Sequence, residues 1–222
     1  MNEGGVIKLV IFDMDGLMLD TESIYKKYWE QIMHERGLET PDTIFQQLIG
    51  CGKDKAKKII AAHYGDDFDN KTVREQLLLR VRRHIDTQGV PLKKGLLHIL
   101  DRLEKTKTKK CVATSSERGV MEGLLTKLNL MHRFDGFVTG DRVRAGKPDP
   151  EIFLKAAHEM NEPPETCIVL EDSNAGISAA YAAGMRSILI PDLARPSQET
   201  LKRIYARCTD LEEAAEIISR FV

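Results

Sequence analysis

The sequence predicts an α/β fold in which a parallel β-sheet has helices on both faces and carries an inserted all-helical domain. The first observation is that short β-branched or apolar runs alternate with helix-like patterns along most of the 222 residues. Strands that alternate with helices in this way form parallel sheets covered on both faces. The second observation is a long interval after the first run, from Asp20 to Pro91, that contains helical patterns and no convincing strand.

The five predicted strands are short runs rich in β-branched and apolar residues. They cover residues 6–12, 110–114, 136–139, 167–170 and 187–190. Helix-like patterns separate and follow the later strands. They cover residues 95–105, 118–128, 150–160, 175–183 and 198–205.

The long interval after the first strand is interpreted as a helical cap inserted into a Rossmann-like core. Its helices are predicted near residues 22–36, 54–63 and 73–85. We expect residues 1–20 and 92–222 to form the catalytic core and residues 21–91 to form the cap domain. Because two chain crossings must connect the insert to the sheet, both junctions should lie together at one edge of the core. An insert joined in this way can tilt over the core as a lid.

The composition excludes several classes of function. The 33 basic and 34 acidic residues nearly cancel, so a nucleic-acid-binding surface is not expected. No apolar stretch reaches the length of a membrane span. The polar residues 1–5 run straight into the first strand, so we expect no signal peptide. The four cysteines lie far apart without a CxxC pair, which favours reduced thiols in a cytoplasmic protein: Cys51, Cys111, Cys167 and Cys208.

Two aspartates, Asp13 and Asp15, follow the first strand within the stretch VIFDMDGLMLDTE. In an open parallel sheet, ligands bind outside the carboxyl ends of the strands. One aspartate there could simply cap or turn the chain. Two in series among apolar residues are costly unless a cation or hydrogen bonds compensate them. Gly16 follows them and allows a tight turn or a close approach of the backbone to a ligand.

The second predicted strand ends in a run of hydroxyl side chains, Thr114, Ser115 and Ser116. Their hydroxyls and backbone N–H groups could hold phosphate oxygens. The alternative for Ser116 is that it caps the following helix, and on residue type alone the two possibilities are equally good.

Two further strand ends supply opposite charges. Lys147 stands before Pro148, which keeps the backbone extended there and rules out an ordinary solvated helix face. Glu171 and Asp172 follow the fourth apolar strand, and such a pair favours a hard-cation site. The four strand ends together match the needs of phosphoryl transfer, which are Mg²⁺, a nucleophile, a proton donor and a cation that neutralises oxygen charge.

These stretches resemble the four ordered motifs of the haloacid dehalogenase superfamily. The residues that carry the resemblance are DxDGxxxDTE at residues 13–22, the strand ending in Thr114-Ser115-Ser116, Gly146-Lys147-Pro148, and Glu171-Asp172. Their spacing and the helical insert resemble its phosphatase and β-phosphoglucomutase-like branch, over essentially the whole chain. The resemblance implies phosphoryl transfer from a phosphate ester through an aspartyl-phosphate.

The resemblance also implies a role for each matching residue. Asp13 matches the nucleophile, and Asp15 matches the general acid that protonates the leaving alcohol and then activates water. Thr114, with backbone groups of Ser115, matches the phosphate holder, and Lys147 matches the residue that neutralises charge. The implied cofactor is Mg²⁺, and its implied ligands are Asp13, the backbone carbonyl of Asp15, Asp172, and Glu171 as a ligand or the neighbour of one. Thr21 falls on the cap hinge.

Two enzymatic activities are compatible with this core. A hydrolase lets water attack the aspartyl-phosphate, whereas a sugar phosphomutase excludes water and returns the phosphoryl group to another hydroxyl. Mutase members place a histidine shortly after the hinge threonine and an arginine in the cap loop, where this chain has Tyr25 and Lys53. Lysine does not replace arginine in bidentate phosphate binding, so the hydrolase is favoured. A catalytically silent binding module is a third alternative, which the complete set of motifs disfavours.

The expected partner is a small phosphorylated metabolite, with a sugar phosphate favoured, and neither nucleic acid nor a membrane. Lys53 is the candidate substrate-binding residue in the cap, with the equal alternative of a solvated position in a lysine-rich helix. Trp29 is predicted to lie in the core of the cap. A monomer is expected, although no sequence pattern sets the oligomeric state.

Overall fold

A computed structural model describes residues 5–48 and 53–222, with the side chains of residues 53–55 outside the description. Within these residues, all strands join one parallel sheet in the order β3-β2-β1-β4-β5-β6. The strands are β1 Leu9–Phe12, β2 Lys109–Thr114, β3 Gly136–Thr139, β4 Cys167–Glu171, β5 Arg186–Leu189 and β6 Ala206–Arg207. The predicted α/β fold class is confirmed.

The α-helices alternate with the strands, apart from a run of four that follows β1. That run is α1 Thr21–Glu35, α2 Asp42–Leu48, α3 Lys53–Tyr64 and α4 Asn70–Gln88. The later helices are α5 Leu96–Thr106, α6 Arg118–Lys127, α7 Glu151–Glu159, α8 Asn174–Ala182, α9 Gln198–Arg203 and α10 Leu211–Ile218. Among the described residues, no helix is both long enough and apolar enough to cross a bilayer.

Strand β1 lies at the centre of the sheet and is buried on both faces. Its alternate residues point to opposite sides, as the pleat requires. Val10 and Phe12 belong to the apolar cluster that includes residues of α5 and α10, and Leu9 and Ile11 belong to the cluster that includes residues of α7 and α8. Burial of each such side chain is worth about 1.5–3 kcal/mol. The end of β1 is therefore held firmly between two layers of helices.

The four helices that follow β1 have an apolar cluster of their own. Its buried members are Trp29, Ile32, Met33, Phe45, Ile60 and Val73. The Trp29 indole Nε1 donates to Thr40 Oγ1 at 2.9 Å, so this buried polar group is also satisfied. Trp29 thus lies in the core of this helical segment, as the sequence predicts. The assignment of residues 21–91 to a separate cap domain stays a prediction.

The chain leaves and re-enters the sheet region at neighbouring points. Leu19 and Leu92 form an antiparallel bridge. On either side of it, the Asp20 N–H donates to Pro91 O and the Lys93 N–H donates to Met18 O, both at 2.9 Å. This confirms the expectation that the two junctions lie together.

Candidate active site

The candidate site lies at the carboxyl ends of β1, β2 and β4. Phe12 of β1 pairs with Val112 of β2 and with Leu170 of β4. Because parallel strands keep their register, Asp13, the residue after Phe12, comes level with the ends of both neighbours. The Asp13 N–H donates to Leu170 O at 3.1 Å, which fixes its backbone against β4.

Lys147 reaches this edge from the loop before α7 and joins two carboxylates. Its Nζ donates to Asp13 Oδ1, to Glu171 Oε1 at 2.6 Å and to the carbonyl of Ala113 at 3.3 Å. The Lys147 side chain is only 6% exposed, and its Nζ lies 5.0 Å from the centre of the Phe153 ring. Burial alone would lower the pKa of Lys147, but the charges of Asp13 and Glu171 outweigh it and raise that pKa. Lys147 is therefore held as a buried cation.

Glu171 uses both of its carboxylate oxygens within the protein. Oε1 accepts from Lys147, and Oε2 accepts from the Ser173 N–H and the Ser173 hydroxyl, each at 2.9 Å. Gly176, in the first turn of α8, leaves the room that this carboxylate needs, because a Cβ there would lie 1.8 Å from Glu171 Oε1. Ser173, rather than Glu171 or Asp172, is the residue that caps α8.

Three buried carboxylates converge next to Lys147 and are suited to a cation. Asp13, Glu171 and Asp172 each offer an oxygen, and these oxygens lie within 4.8 Å of one another. Burial raises the pKa of Asp13 to about 8, with Lys147 opposing the shift and Glu171 adding to it. Burial, followed by the charges of Glu171 and Asp13, raises the pKa of Asp172 well above its ordinary value. A donor set of oxygens with excess negative charge fits Mg²⁺.

Asp15 is oriented by three hydroxyl groups. Its Oδ1 accepts from Thr21 at 2.9 Å, and its Oδ2 accepts from Ser116 at 2.8 Å and from Thr114 at 3.3 Å. The alternative role of Ser116 as a helix cap is wrong, because the residue that precedes α6 in the cap position is Glu117. Ser115, between the donors Thr114 and Ser116, is exposed. Asp15 therefore lies where the first helical residue, Thr21, meets the end of β2.

Gly16 allows the Asp172 carboxylate to lie close to the backbone after Asp15. It has φ +83°, a left-handed conformation, and a Cβ at this position would lie 2.3 Å from Asp172 Oδ2. Both the backbone conformation and the space exclude a side chain here.

The model of the family described as "Haloacid dehalogenase-like hydrolase" matches residues 10–190, which include every one of these strand ends. The chain belongs to that family. Its members thus share the stretch from Val10 to Ile190 that builds the sheet edge described above.

Several individual members of the haloacid dehalogenase-like family resemble this chain. The fructose-1-phosphate phosphatase of Escherichia coli is 33% identical over 179 residues, which cover 81% of this chain and 94% of that protein. A Drosophila melanogaster protein named "Probable pseudouridine-5'-phosphatase" is 36% identical over 197 residues, covering 85% and 83%. A solved β-phosphoglucomutase from Clostridium difficile has a TM-score of 0.77 and 23% identity, with 97% of each chain covered, and shows the shared fold.

Two acidic residues near this hydrolase site received no individual role in the prediction. Burial, with the charges of Asp15, Asp192 and Asp20 adding to it, raises the pKa of Glu22 to about 7. Asp192 follows β5, and its Oδ1 accepts from Lys93 at 2.6 Å. The other oxygen, Oδ2, is buried and has no hydrogen-bond partner among the described residues. The strand-end rule that identified the other carboxylates also applies to Asp192.

Tyr25 and Lys53 are the residues of the helical segment that the sequence comparison set against the histidine and arginine of mutase members. Tyr25 lies on α1, and burial followed by the charges of Asp15 and Glu22 raises its pKa to about 12. Lys53 is the first residue of α3, and its side chain lies outside the described part of the chain. Its contact with substrate stays a prediction.

Proposed function

We propose that this hydrolase is an Mg²⁺-dependent phosphatase that cleaves a small phosphomonoester, with a sugar phosphate favoured, through an aspartyl-phosphate on Asp13. The observation that carries the proposal is the placement of Asp13. It directly follows the central strand, shares Lys147 with Glu171, and has a carboxylate oxygen within 4.8 Å of one from Asp172. A nucleophile, a fixed cation and a metal-binding carboxylate are thereby gathered at one point.

In the proposed first step, a carboxylate oxygen of Asp13 attacks the phosphorus atom of the ester. The new bond joins this oxygen to phosphorus while the bond between phosphorus and the ester oxygen breaks. Asp15, held by three hydroxyls, gives a proton to the departing alcohol. Lys147 stabilises the negative charge near Asp13 throughout.

In the proposed second step, Asp15 takes a proton from water, and the water oxygen attacks the phosphorus of the aspartyl-phosphate. The bond between phosphorus and the Asp13 oxygen breaks, which releases inorganic phosphate and restores the Asp13 carboxylate. Asp13, Asp172, Glu171 and the backbone carbonyl of Asp15 would hold Mg²⁺, which when bound offsets the charge of the carboxylates and of the phosphate oxygens. Thr114 and Ser115 remain the proposed phosphate holders.

The substrate class and the final acceptor of the phosphoryl group are each proposed on one ground. The Escherichia coli relative at 33% identity is a fructose-1-phosphate phosphatase, which supports a sugar phosphate. Tyr25 and Lys53 stand where a mutase would have histidine and arginine, which supports water as the final acceptor. We also propose that the enzyme acts as a cytoplasmic monomer on free metabolites.

The test is a panel of phosphorylated metabolites that includes fructose 1-phosphate, pseudouridine 5'-phosphate and p-nitrophenyl phosphate, each with Mg²⁺. Release of inorganic phosphate fastest from a sugar phosphate is the expected outcome. A parallel sample receives β-glucose 1-phosphate with a trace of glucose 1,6-bisphosphate. Glucose 6-phosphate formed much faster than inorganic phosphate would establish the mutase instead.

A further inference from the structure

Gln46 links the helical segment to the sheet through both ends of its side-chain amide. Its Nε2 donates to Leu193 O at 2.7 Å, and its Oε1 accepts from the Arg195 N–H at 2.9 Å. Gln46 lies on α2, whereas Leu193 and Arg195 lie on the loop that follows β5. One side chain thus bonds to two backbone groups of one loop, a two-point contact that fixes both position and orientation.

The apolar part of the same loop strengthens this contact. The Leu193 side chain packs against the cluster of the helical segment, to which Trp29 and Phe45 belong. Phe45 precedes Gln46 on α2, so neighbouring residues of one helix contribute to the apolar cluster and to the amide contact. The loop therefore supplies an apolar side chain to the helical segment, and the helical segment supplies hydrogen bonds to the loop.

The other end of this loop reaches the catalytic edge. Asp192, directly before Leu193, accepts from Lys93 at 2.6 Å. A Cβ added at Gly16 would lie 3.4 Å from Asp192 Oδ2 and 2.3 Å from Asp172 Oδ2. Asp192 and Asp172 therefore lie on the same side of the Gly16 backbone. The loop that Gln46 contacts therefore also borders the proposed metal ligands.

We infer that Gln46 is a positioning residue, whose amide holds α2 on the loop after β5 and so keeps the helical segment closed over bound substrate. Helix α2 ends at Leu48, five residues before Lys53, the predicted substrate contact. If α2 is released, the closed state becomes less populated, and the apparent affinity for substrate falls by the same factor. The kinetic part of this inference rests on the proposed function.

The next residue, Gln47, is a matched control. It has the same side chain on the same helix, is exposed, and its Nε2 donates to Thr43 O within α2. Gln46→Ala removes both bonds to the loop. Gln46→Glu keeps an acceptor for the Arg195 N–H but replaces the donor to Leu193 O by an oxygen. Gln47→Ala changes the helix without touching the loop.

The first measurement is hydrogen exchange of the Arg195 amide by NMR, which needs no activity. Arg195 is exposed, so Gln46 Oε1 provides the hydrogen bond that slows its exchange. Gln46→Ala should speed this exchange about tenfold, whereas Gln47→Ala should leave it unchanged. Equal exchange in the wild type and Gln46→Ala would overturn the contact itself.

The second measurement compares kinetic constants on the best substrate of the panel. Gln46→Ala and Gln46→Glu should raise KM about 5- to 30-fold with kcat changed less than threefold, and Gln47→Ala should match the wild type. A lower melting temperature with unchanged KM would show a merely structural role and overturn the inference. Absence of turnover in the wild type and Gln47→Ala would instead contradict the proposed function, and the exchange data would still decide the contact.

Discussion

The catalytic edge of the sheet and the helical segment after β1 are built differently. At the edge, Asp13, Glu171 and Lys147 are almost fully buried, and each is held by neighbouring strands or by hydrogen bonds. In the helical segment, six buried residues form a small separate cluster, and Leu79 of α4 is 69% exposed. The proposed chemistry thus lies on side chains fixed at the strand ends, and the proposed substrate selection lies on a segment with a small core of its own.

The largest effect is expected from Asp13→Asn. The amide is a poor nucleophile and carries no charge for a metal, so turnover should fall by at least about a thousandfold. Activity and thermal melts are measured on one preparation, and the melting temperature should stay within a few degrees of the wild type. Retention of more than a few per cent of the wild-type rate would show that Asp13 is not the nucleophile.

Removal of divalent metal should abolish turnover, and Mg²⁺ should restore it. The carboxylates of Asp13, Glu171 and Asp172 repel one another, so Mg²⁺ should also stabilise the fold, by about 2.7 kcal/mol at a hundredfold excess over its Kd. Thermal melts with EDTA and with Mg²⁺ measure this difference, and NaCl at equal ionic strength is the control. Asp172→Asn should lose most of the stabilisation. Full activity in metal-free buffer contradicts the metal site.

Two glycines, one in each region, allow the effect of backbone strain to be distinguished from an effect on the metal site. Gly16 and Gly37 have φ values of +83° and +70°, so alanine strains either backbone by about 1 kcal/mol. Only at Gly16 would the new Cβ meet a carboxylate, Asp172 Oδ2, since Gly37 has nothing within 4 Å. Gly16→Ala should therefore weaken Mg²⁺ binding about 10- to 100-fold, measured by Mg²⁺ titration of activity. Gly37→Ala should leave the Mg²⁺ dependence unaltered, and a similar weakening in both would indicate a general effect of strain.

The last comparison concerns Glu22, at the boundary of the two regions. Its folded-state pKa of about 7 lies above the ordinary 4.5 because of burial and the charges of Asp15, Asp192 and Asp20. Because the pKa is raised on folding, the contribution of Glu22 to the free energy of unfolding is fully present below about pH 4.5. It is lost as the pH rises through 7. Glu22→Gln removes this loss, so its stability relative to the wild type should increase between pH 5 and pH 8, by at most about 3 kcal/mol.

Thermal melts of Glu22→Gln at the two pH values measure this change. Glu30→Gln, on the exposed side of the same helix, is the control and should shift stability equally at pH 5 and pH 8. If Glu22→Gln changed the stability by the same amount at both pH values, the raised pKa of Glu22 would be contradicted.

The strand-end carboxylates could be found from the sequence because each lies at, or within three residues after, the end of a buried strand. The strand positions alone are enough to place four carboxylates at one edge of the sheet: Asp13, Asp15, Glu171 and Asp172. The register of the parallel strands then brings most of them together. Gln46 could not be found in this way. Its partners follow 147 and 149 residues later, and no local pattern records such a contact.

Three short elements were also missing from the prediction, each for a local reason. Strand β6 has two residues, too few to show an alternating pattern. Helix α2 has seven residues and one buried side chain, Phe45, so it lacks an apolar periodicity. Helix α10 did carry a signal, because Asp210 caps it by accepting from the Glu213 N–H three residues later.

The bridge between Leu19 and Leu92 makes the helical segment exchangeable. Its two ends enter and leave the core side by side, so a turn or an unrelated module of different length could span the same gap without disturbing strand order. Such a replacement would have to match the contacts that the segment makes with the core, among them those of Thr21, Gln46 and Asp86. Replacement of this one inserted segment could therefore change the substrate specificity while the residues at the sheet edge stay the same.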